Sequence, residues 1–262
     1  MYKSSTNGTA PGGYALGALP SPLDERDYRF PAYGRMIRAA KLPRTFAWRI
    51  DKIEDQGSLN SCVAHCLGAI SDWRESRELG RRLSFSRQFI YANRNPLTDY
   101  LGPGMVPRQA LVALRRDGVP PERLWPGIVE YGRERWPADR AGLAAAARPH
   151  RIATYVAIDP ESISELKSAI YTTGPAMCVV PVHASFKPGR GAVIPSPRGP
   201  LEGYHAMVIV GWRTGAWQAH NSWGRDWGDN GRCWLTWDFP TRETWGITDL
   251  RTRLRADAPR QA

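Results

Sequence analysis

Cysteine is scarce: Cys62, Cys66, Cys178 and Cys233 are the whole supply in 262 residues. They are too few and too scattered to staple a disulfide scaffold, so the fold must rest on a hydrophobic core, and a reducing compartment is the default. Long apolar runs are missing as well. No stretch approaches the length a helix needs to cross a membrane, so no membrane span is expected, and the N-terminus, MYKSSTNGTAPGGYALGALPSP, has no continuous apolar segment of the kind a cleavable secretory signal carries. The expected location is therefore cytoplasmic, or exported without a cleavable N-terminal signal. Lysine is equally rare, at positions 3, 41, 52, 167 and 187 only, so arginine carries the formal net charge of +11. The arginines are scattered apart from pairs such as Arg81-Arg82 and Arg115-Arg116. With no basic run, no nucleic-acid partner is expected. Nothing in the sequence sets an oligomeric state.

What is present is an ordinary soluble composition, 42% hydrophobic and 23% charged, with a surplus of tryptophan at eleven residues. Residues 1–41 are rich in Gly, Pro and Ser without periodicity and read as an extended or partly disordered N-terminal arm, with Leu23–Phe30 available for a short ordered contact. After an extended segment over 42–50, helical spacing recurs from Cys62 towards Leu79, over 83–95, over 106–118 and over 133–149, each of the first and third closed by a glycine, Gly80 and Gly118. The second half changes character. Strands are expected over 152–158, 175–182, 205–212, 217–223 and 232–239, with one helix ending at Gly174. Helices first and strands second imply an α+β protein with a helical lobe over about 50–150 and a β lobe over about 151–250, a cleft between them, and a tail at 251–262.

One stretch carries chemistry. In QGSLNSC, Gln56 lies six residues before Cys62, and Asn60 or Ser61 is placed to cap the helix that Cys62 opens. Unpaired N–H groups and the helix dipole favour negative charge in a first turn, which lowers a thiol's pKa and makes thiolate. A thiolate nucleophile needs a proton partner, and His205 is the candidate; Asn221, sixteen residues further on, can accept the other ring N–H and hold the imidazole. Gln56 can offer its side-chain NH₂, with the Cys62 backbone N–H, to an oxyanion. Trp223 can shield the His–Asn bond from water. His65 and Cys66 lack a convincing fourth ligand for a metal, and His150, His183 and His220 read as structural. No metal and no organic cofactor is called for. Cys178 and Cys233 would pair only if folding brought them close.

QGSLNSC, GYHAMVIVGW and HNSWGRDWGDNGRCWL together resemble, in order, the three signature blocks of the papain-like cysteine peptidases. LPRTFAWR, LSFSRQFIYANRN and GPGMVPRQALVALRRDGVPPERLWP extend the resemblance from about Leu42 to about Asp249. It implies a papain-like two-lobe fold with the active site in the cleft, a catalytic set of Cys62, His205 and Asn221 with Gln56 in the oxyanion hole, and a peptide or protein substrate. It also implies that Gly104 presents its backbone to an extended substrate and that Tyr204 walls the main specificity pocket. The sequence departs from the family at Leu59, where secreted members carry a disulfide cysteine, at Asn60 in place of a glycine, and at Val63 in place of an aromatic residue. The arm is shorter than the helical prodomain of the secreted members, so either no zymogen step exists or the arm, through Leu23–Phe30, is a strand-like plug.

The expected activity is peptide-bond hydrolysis, as endopeptidase or exopeptidase, through an acyl-enzyme at Cys62. A thiol acyltransferase or deamidase would use the same groups. A catalytically silent module holding an acidic partner on its basic surface is a further reading, against which the intact set of Gln56, Cys62, His205 and Asn221 argues.

Overall fold

The computed structural model describes residues 8–30, 42–93, 102–130 and 132–248. The expected tail and the ends of the expected arm lie outside these. In chain order the described elements are β1 (Thr9–Ala10), β2 (Tyr14–Ala15), β3 (Phe46–Ala47), α1 (Cys62–Leu79), α2 (Arg87–Ala92), α3 (Pro107–Arg116), α4 (Arg140–Ala147), β4 (Thr154–Ile158), α5 (Ile163–Thr173), β5 (Ala176–His183), β6 (Leu201–Arg213), β7 (Ala216–His220), β8 (Arg232–Thr236) and β9 (Glu243–Thr248).

The helix α1 is the centre of the molecule. Every residue from Cys62 to Asp72 is buried, which suits a stretch whose side chains are small or apolar on all sides. Gly80 ends it in the left-handed conformation at φ 65°. Its flank lies against β6, the longest strand, and against α2. Seven strands form one sheet in the order β4-β9-β5-β6-β7-β8, with β3 also paired to β6, while β1 and β2 pair separately with each other; each of these pairs is antiparallel. Period-two alternation makes this sheet a wall between two cores. Met177, Val179, Ala206, Val208 and Val210 face the core that contains α1, whereas Cys178, Val180, Val182, Met207, Ile209 and Trp212 face a second core with α5 and the tryptophans at 217, 223 and 227.

One strand had not been expected, and two helices are shorter than expected. The strand β9, from ETWGIT, has no simple alternation because it is buried on both faces between β4 and β5. The helix expected over 83–95 starts at Arg87, because the Ser86 side chain accepts from Phe89 N and caps it there. The one expected over 133–149 is confined to Arg140–Ala147, capped by Asp139.

A buried ion cluster braces the helical half. Arg87, 3% exposed at its side chain, donates to Glu54 (3.0 and 2.6 Å) and to Asp72 (3.0 and 2.7 Å), filling both edges of its guanidinium. Gly68 makes the space: a Cβ there would lie 2.6 Å from Arg87 Nε. Because removing the cation strands two buried carboxylates, Arg87→Ala is expected to cost about 3–5 kcal/mol, read as the shift in urea-unfolding free energy. A loss within the range of exposed ion pairs, about 1 kcal/mol or less, would show that the cluster does not brace the fold.

Candidate active site

Cys62 is the first residue of α1 and His205 lies on β6, so the packing of helix against sheet brings them together. The two groups meet at one strand: the backbone N–H of Ala206, next to His205, lies 3.5 Å from Cys62 Sγ. His205 Nε2 is 2.6 Å from Asn221 Oδ1. Ser222 N also donates to that oxygen, at 2.7 Å, which fixes it as the amide's carbonyl end and makes Nε2 the protonated ring nitrogen. Nδ1 is thereby left with a lone pair; it is buried and has no other protein partner. The Trp223 ring covers the imidazole at a centroid distance of 4.3 Å. Thus Cys62, His205, Asn221 and Trp223 fall together as expected.

Gln56 joins them through Ser222. The Ser222 hydroxyl donates to Gln56 Oε1 at 2.6 Å, and Gln56 N donates to Ser222 O at 2.8 Å. The amide is therefore oriented with its NH₂ free to reach other acceptors, and these are Leu59 O (2.7 Å) and Ala15 O (3.1 Å).

Ala15 belongs to the N-terminal arm, and the arm runs through the site. Tyr14 stacks on Trp223 at 4.8 Å, and Ala15 O also accepts from Trp223 Nε1 at 3.3 Å. Asn60 Nδ2 donates to Leu16 O. Gly17 passes so close to the Cys62 turn that a Cβ on it would lie 2.2 Å from Asn60 O. Further along, Ala18 N donates to Tyr204 O (3.3 Å), Met105 N to Gly17 O (2.9 Å) and Leu19 N to Met105 O (2.9 Å). This replaces the expectation placed on Leu23–Phe30. Gly8–Leu19, and above all the short apolar run Ala15–Leu19, fills the cleft, while Asp24 and Asp27 on the rim are tied to Arg108. The small residues that made the arm look unstructured are what lets it enter so narrow a space.

The arm also refines two substrate-wall assignments. Gly104, with φ 95°, lets Gly17 O come near, at 2.9 Å from where its Cβ would be, but the backbone that pairs with the arm is that of Met105. Tyr204 meets the arm through its carbonyl. Met105 escaped sequence reading because backbone pairing leaves no side-chain signal; its place beside a left-handed glycine was the one hint. Asn60 does not use a left-handed backbone, since Ala192 and Asn230 are the non-glycine residues with positive φ among those described. Its role is the hydrogen bond to the arm. Ser222, between Asn221 and Trp223, was also missed, because a serine in a turn carries no pattern of its own.

Burial works against the expected thiolate. Cys62 is fully buried, which pushes its thiol up to about 11 despite the backbone N–H groups of Ala206, Val63, Gly17 and Cys62 around it. His205 is equally buried and its pKa falls to about 4, the Asn221 hydrogen bond offsetting part of the shift. In the covered cleft burial thus favours the neutral form of each partner. The other cysteines are free and buried, Cys178 and Cys233 included. His150 pairs with Glu75 (2.8 Å) and His183 with the Gly199 carbonyl (2.9 Å).

Comparison with known proteins agrees with this geometry. The sequence profile of the papain family cysteine proteases matches residues 42–243, most of the chain. The chain belongs to that family. Within it, the chain is 27% identical over 209 residues to the oryzain gamma chain of Oryza sativa subsp. japonica and 26% identical over 207 residues to the thiol protease aleurain of Arabidopsis thaliana. These matches cover 75% and 74% of this chain and 56% of each relative, so the chain spans about half the length of those relatives. Among solved structures, xylellain, a cysteine protease from Xylella fastidiosa, superposes with a TM-score of 0.79 over 95% of this chain and 100% of that one at 24% identity. The proCathepsin B S9 of Trypanosoma congolense does so with a TM-score of 0.68, 19% identity, and 89% and 85% coverage. The fold is thus papain-like, a helical N-terminal portion against an antiparallel sheet.

Buried histidines make the fold sensitive to acid. Burial lowers both His205 and His220 from the ordinary 6.5 to about 4, with the Arg232 charge adding to the shift of His220. Unfolded, the two rings bind protons below about pH 6.5 that the folded ones refuse until about pH 4. Their neutral burial is therefore without penalty above pH 6.5, and stability falls as pH drops towards 4. A urea midpoint lower at pH 4.5 than at pH 7 is expected, with a smaller drop in His220→Gln; an equal drop in both would remove His220 from the account.

Proposed function

We propose that the chain is a cysteine peptidase held latent by its own arm, which hydrolyses peptide bonds through Cys62 once the arm withdraws. The observation that carries this reading is the 2.6 Å bond from His205 Nε2 to Asn221 Oδ1, which leaves Nδ1 unprotonated as a base on the side of the ring away from Asn221. Withdrawal of the arm returns water to the cleft, and solvation restores the charged forms. The Cys62 proton then moves to His205 Nδ1, giving thiolate and imidazolium.

The thiolate attacks the carbonyl carbon of a bound peptide, and the carbonyl π electrons move to its oxygen. Gln56 Nε2, released from Ala15 O, and the Cys62 backbone N–H donate to that oxyanion. One such donor is worth about 3 kcal/mol of transition-state stabilisation. The tetrahedral intermediate collapses as His205 gives its proton to the leaving amine, and a thioester at Cys62 remains. Water then attacks the thioester, with His205 Nδ1 taking its proton and returning it to sulfur. Asn221 holds the ring through both transfers. An extended substrate lies where the arm lay, along Met105 and the Tyr204 carbonyl.

Gly17→Leu tests both halves of the proposal. A side chain there meets the Asn60 carbonyl and cannot be seated, so the arm is expelled and hydrolysis of a peptide library should rise at least about tenfold over wild type, the worth of one or two lost hydrogen bonds. Added Cys62→Ala should abolish it. Products with a free carboxylate are expected even with an added amine. Amide products would indicate an acyltransferase. Salt-dependent binding of acidic peptides without any turnover would favour the silent module.

A further inference from the structure

Behind the catalytic asparagine lies a cavity of about 10 Å³, lined among others by His65, Cys66, Met207, His220 and Asn221. That is room for a single water molecule. Besides Lys52 at its edge, five buried polar side chains line it: Glu54 (7% exposed) and Ser222 (4%), which are bonded to Arg87 and Gln56, and the three that matter here, His65 (4%), His220 (8%) and Asn221 (3%). Their proton positions follow from their other partners.

Asn221 Oδ1 already accepts from His205 and Ser222, so the amide cannot flip and Nδ2 is a fixed donor. That Nδ2 is buried with no protein acceptor. His220 Nε2 accepts from Arg232 Nε at 3.0 Å, so the neutral ring carries its proton on Nδ1, which is likewise buried without a protein acceptor. His65 Nδ1 lies 3.1 Å from the Ser61 carbonyl, which only accepts, so its proton is on Nδ1 and its Nε2 offers a lone pair. Two donors and one acceptor around space for one water is a match to the water molecule itself, which accepts twice and donates. An anion would satisfy the two donors and face the His65 lone pair.

We infer that one buried water bridges Asn221 Nδ2, His220 Nδ1 and His65 Nε2, and that His65 is a positioning residue which, through this water, holds the asparagine that orients His205. Without the bridge Asn221 is tied through Oδ1 alone, and its buried Nδ2 donor is left unmet. The bridge ties the second end to α1, the same helix that presents Cys62. The helix and the base are thereby locked to one another at a point the substrate never touches.

This rests on the peptidase reading for its kinetic consequence and on hydrogen bonding alone for the water. A high-resolution crystal structure of the full chain should show one ordered water within hydrogen-bond distance of all three nitrogens; a dry cavity, or an anion in it, overturns the inference. For the kinetics, His65→Phe and His65→Gln are made in the Gly17→Leu chain. Phenylalanine fills the cavity and removes the acceptor, and kcat should fall about tenfold, the worth of one hydrogen bond, with KM within about twofold. Glutamine offers an amide oxygen near the place of Nε2 and should restore kcat to within about twofold. Equal losses in both variants, or a change in KM instead of kcat, would reduce His65 to a packing role and contradict the proposal. A Gly17→Leu chain without turnover would count against the peptidase reading, while the crystal structure still decides the water.

Discussion

The site depends on the pairing of two short segments, Glu54–Gln56 and Asn221–Gly224, that carry its polar groups from opposite halves of the chain. Asp55 bridges Trp223, Gln56 N donates to Ser222 O, and Gly224 N donates to Glu54 O. At the middle of this ribbon Ser222 donates its hydroxyl to Gln56 and its N–H to Asn221. One residue thus orients the oxyanion donor and the group that orients the base. Buried hydrogen bonds of this kind are expensive to leave unmade, which is why neither amide can turn once the ribbon has formed. Glu54, at one end, also receives Arg87 from α2, so the ribbon is braced by the buried ion cluster of the helical half.

On that frame the electrostatics are decided by water. The first turn of a helix supplies N–H groups to Cys62, and an asparagine supports His205, both of which favour the ion pair. The arm removes the solvent that would stabilise the charges, and desolvation outweighs the local dipoles. The same arm takes the hydrogen-bonding groups that the proposed substrate would use: the Gln56 Nε2 donor, the Met105 backbone and the Tyr204 carbonyl acceptor. In the proposed reading latency and substrate binding draw on one set of hydrogen bonds, with Asp24 and Asp27 paired to Arg108 further along the arm.

Much of this was legible beforehand. The spacing that placed α1 at Cys62–Leu79 combined small buried residues with a terminal glycine, and those are local properties. Gln56, His205, Asn221 and Trp223 were identifiable because each carries a side chain whose chemistry is needed. The features that escaped act through backbone or through context. Met105 pairs by its main chain, β9 is masked by burial on both faces, and Ser222 is one serine among many until its three hydrogen bonds, to Gln56 and Asn221, are seen. Leu23–Phe30 was expected to be the plug, yet the cleft holds the bland run Ala15–Leu19, because what a narrow cleft admits is small size. What works against the thiolate was hidden for a related reason: a helix terminus is visible in sequence, whereas a distant segment that seals it from water is not.

The central claim is that the covered dyad is neutral, with the His205 proton on Nε2. The direct measurement is the ¹⁵N chemical shift of the two His205 ring nitrogens in the full chain between pH 5 and pH 8. The account predicts a neutral ring throughout, Nε2 protonated against Asn221 and Nδ1 bare, with no titration in that range. Two protonated nitrogens at pH 6 to 7 would mean that the thiolate–imidazolium pair persists under the arm, and would contradict it.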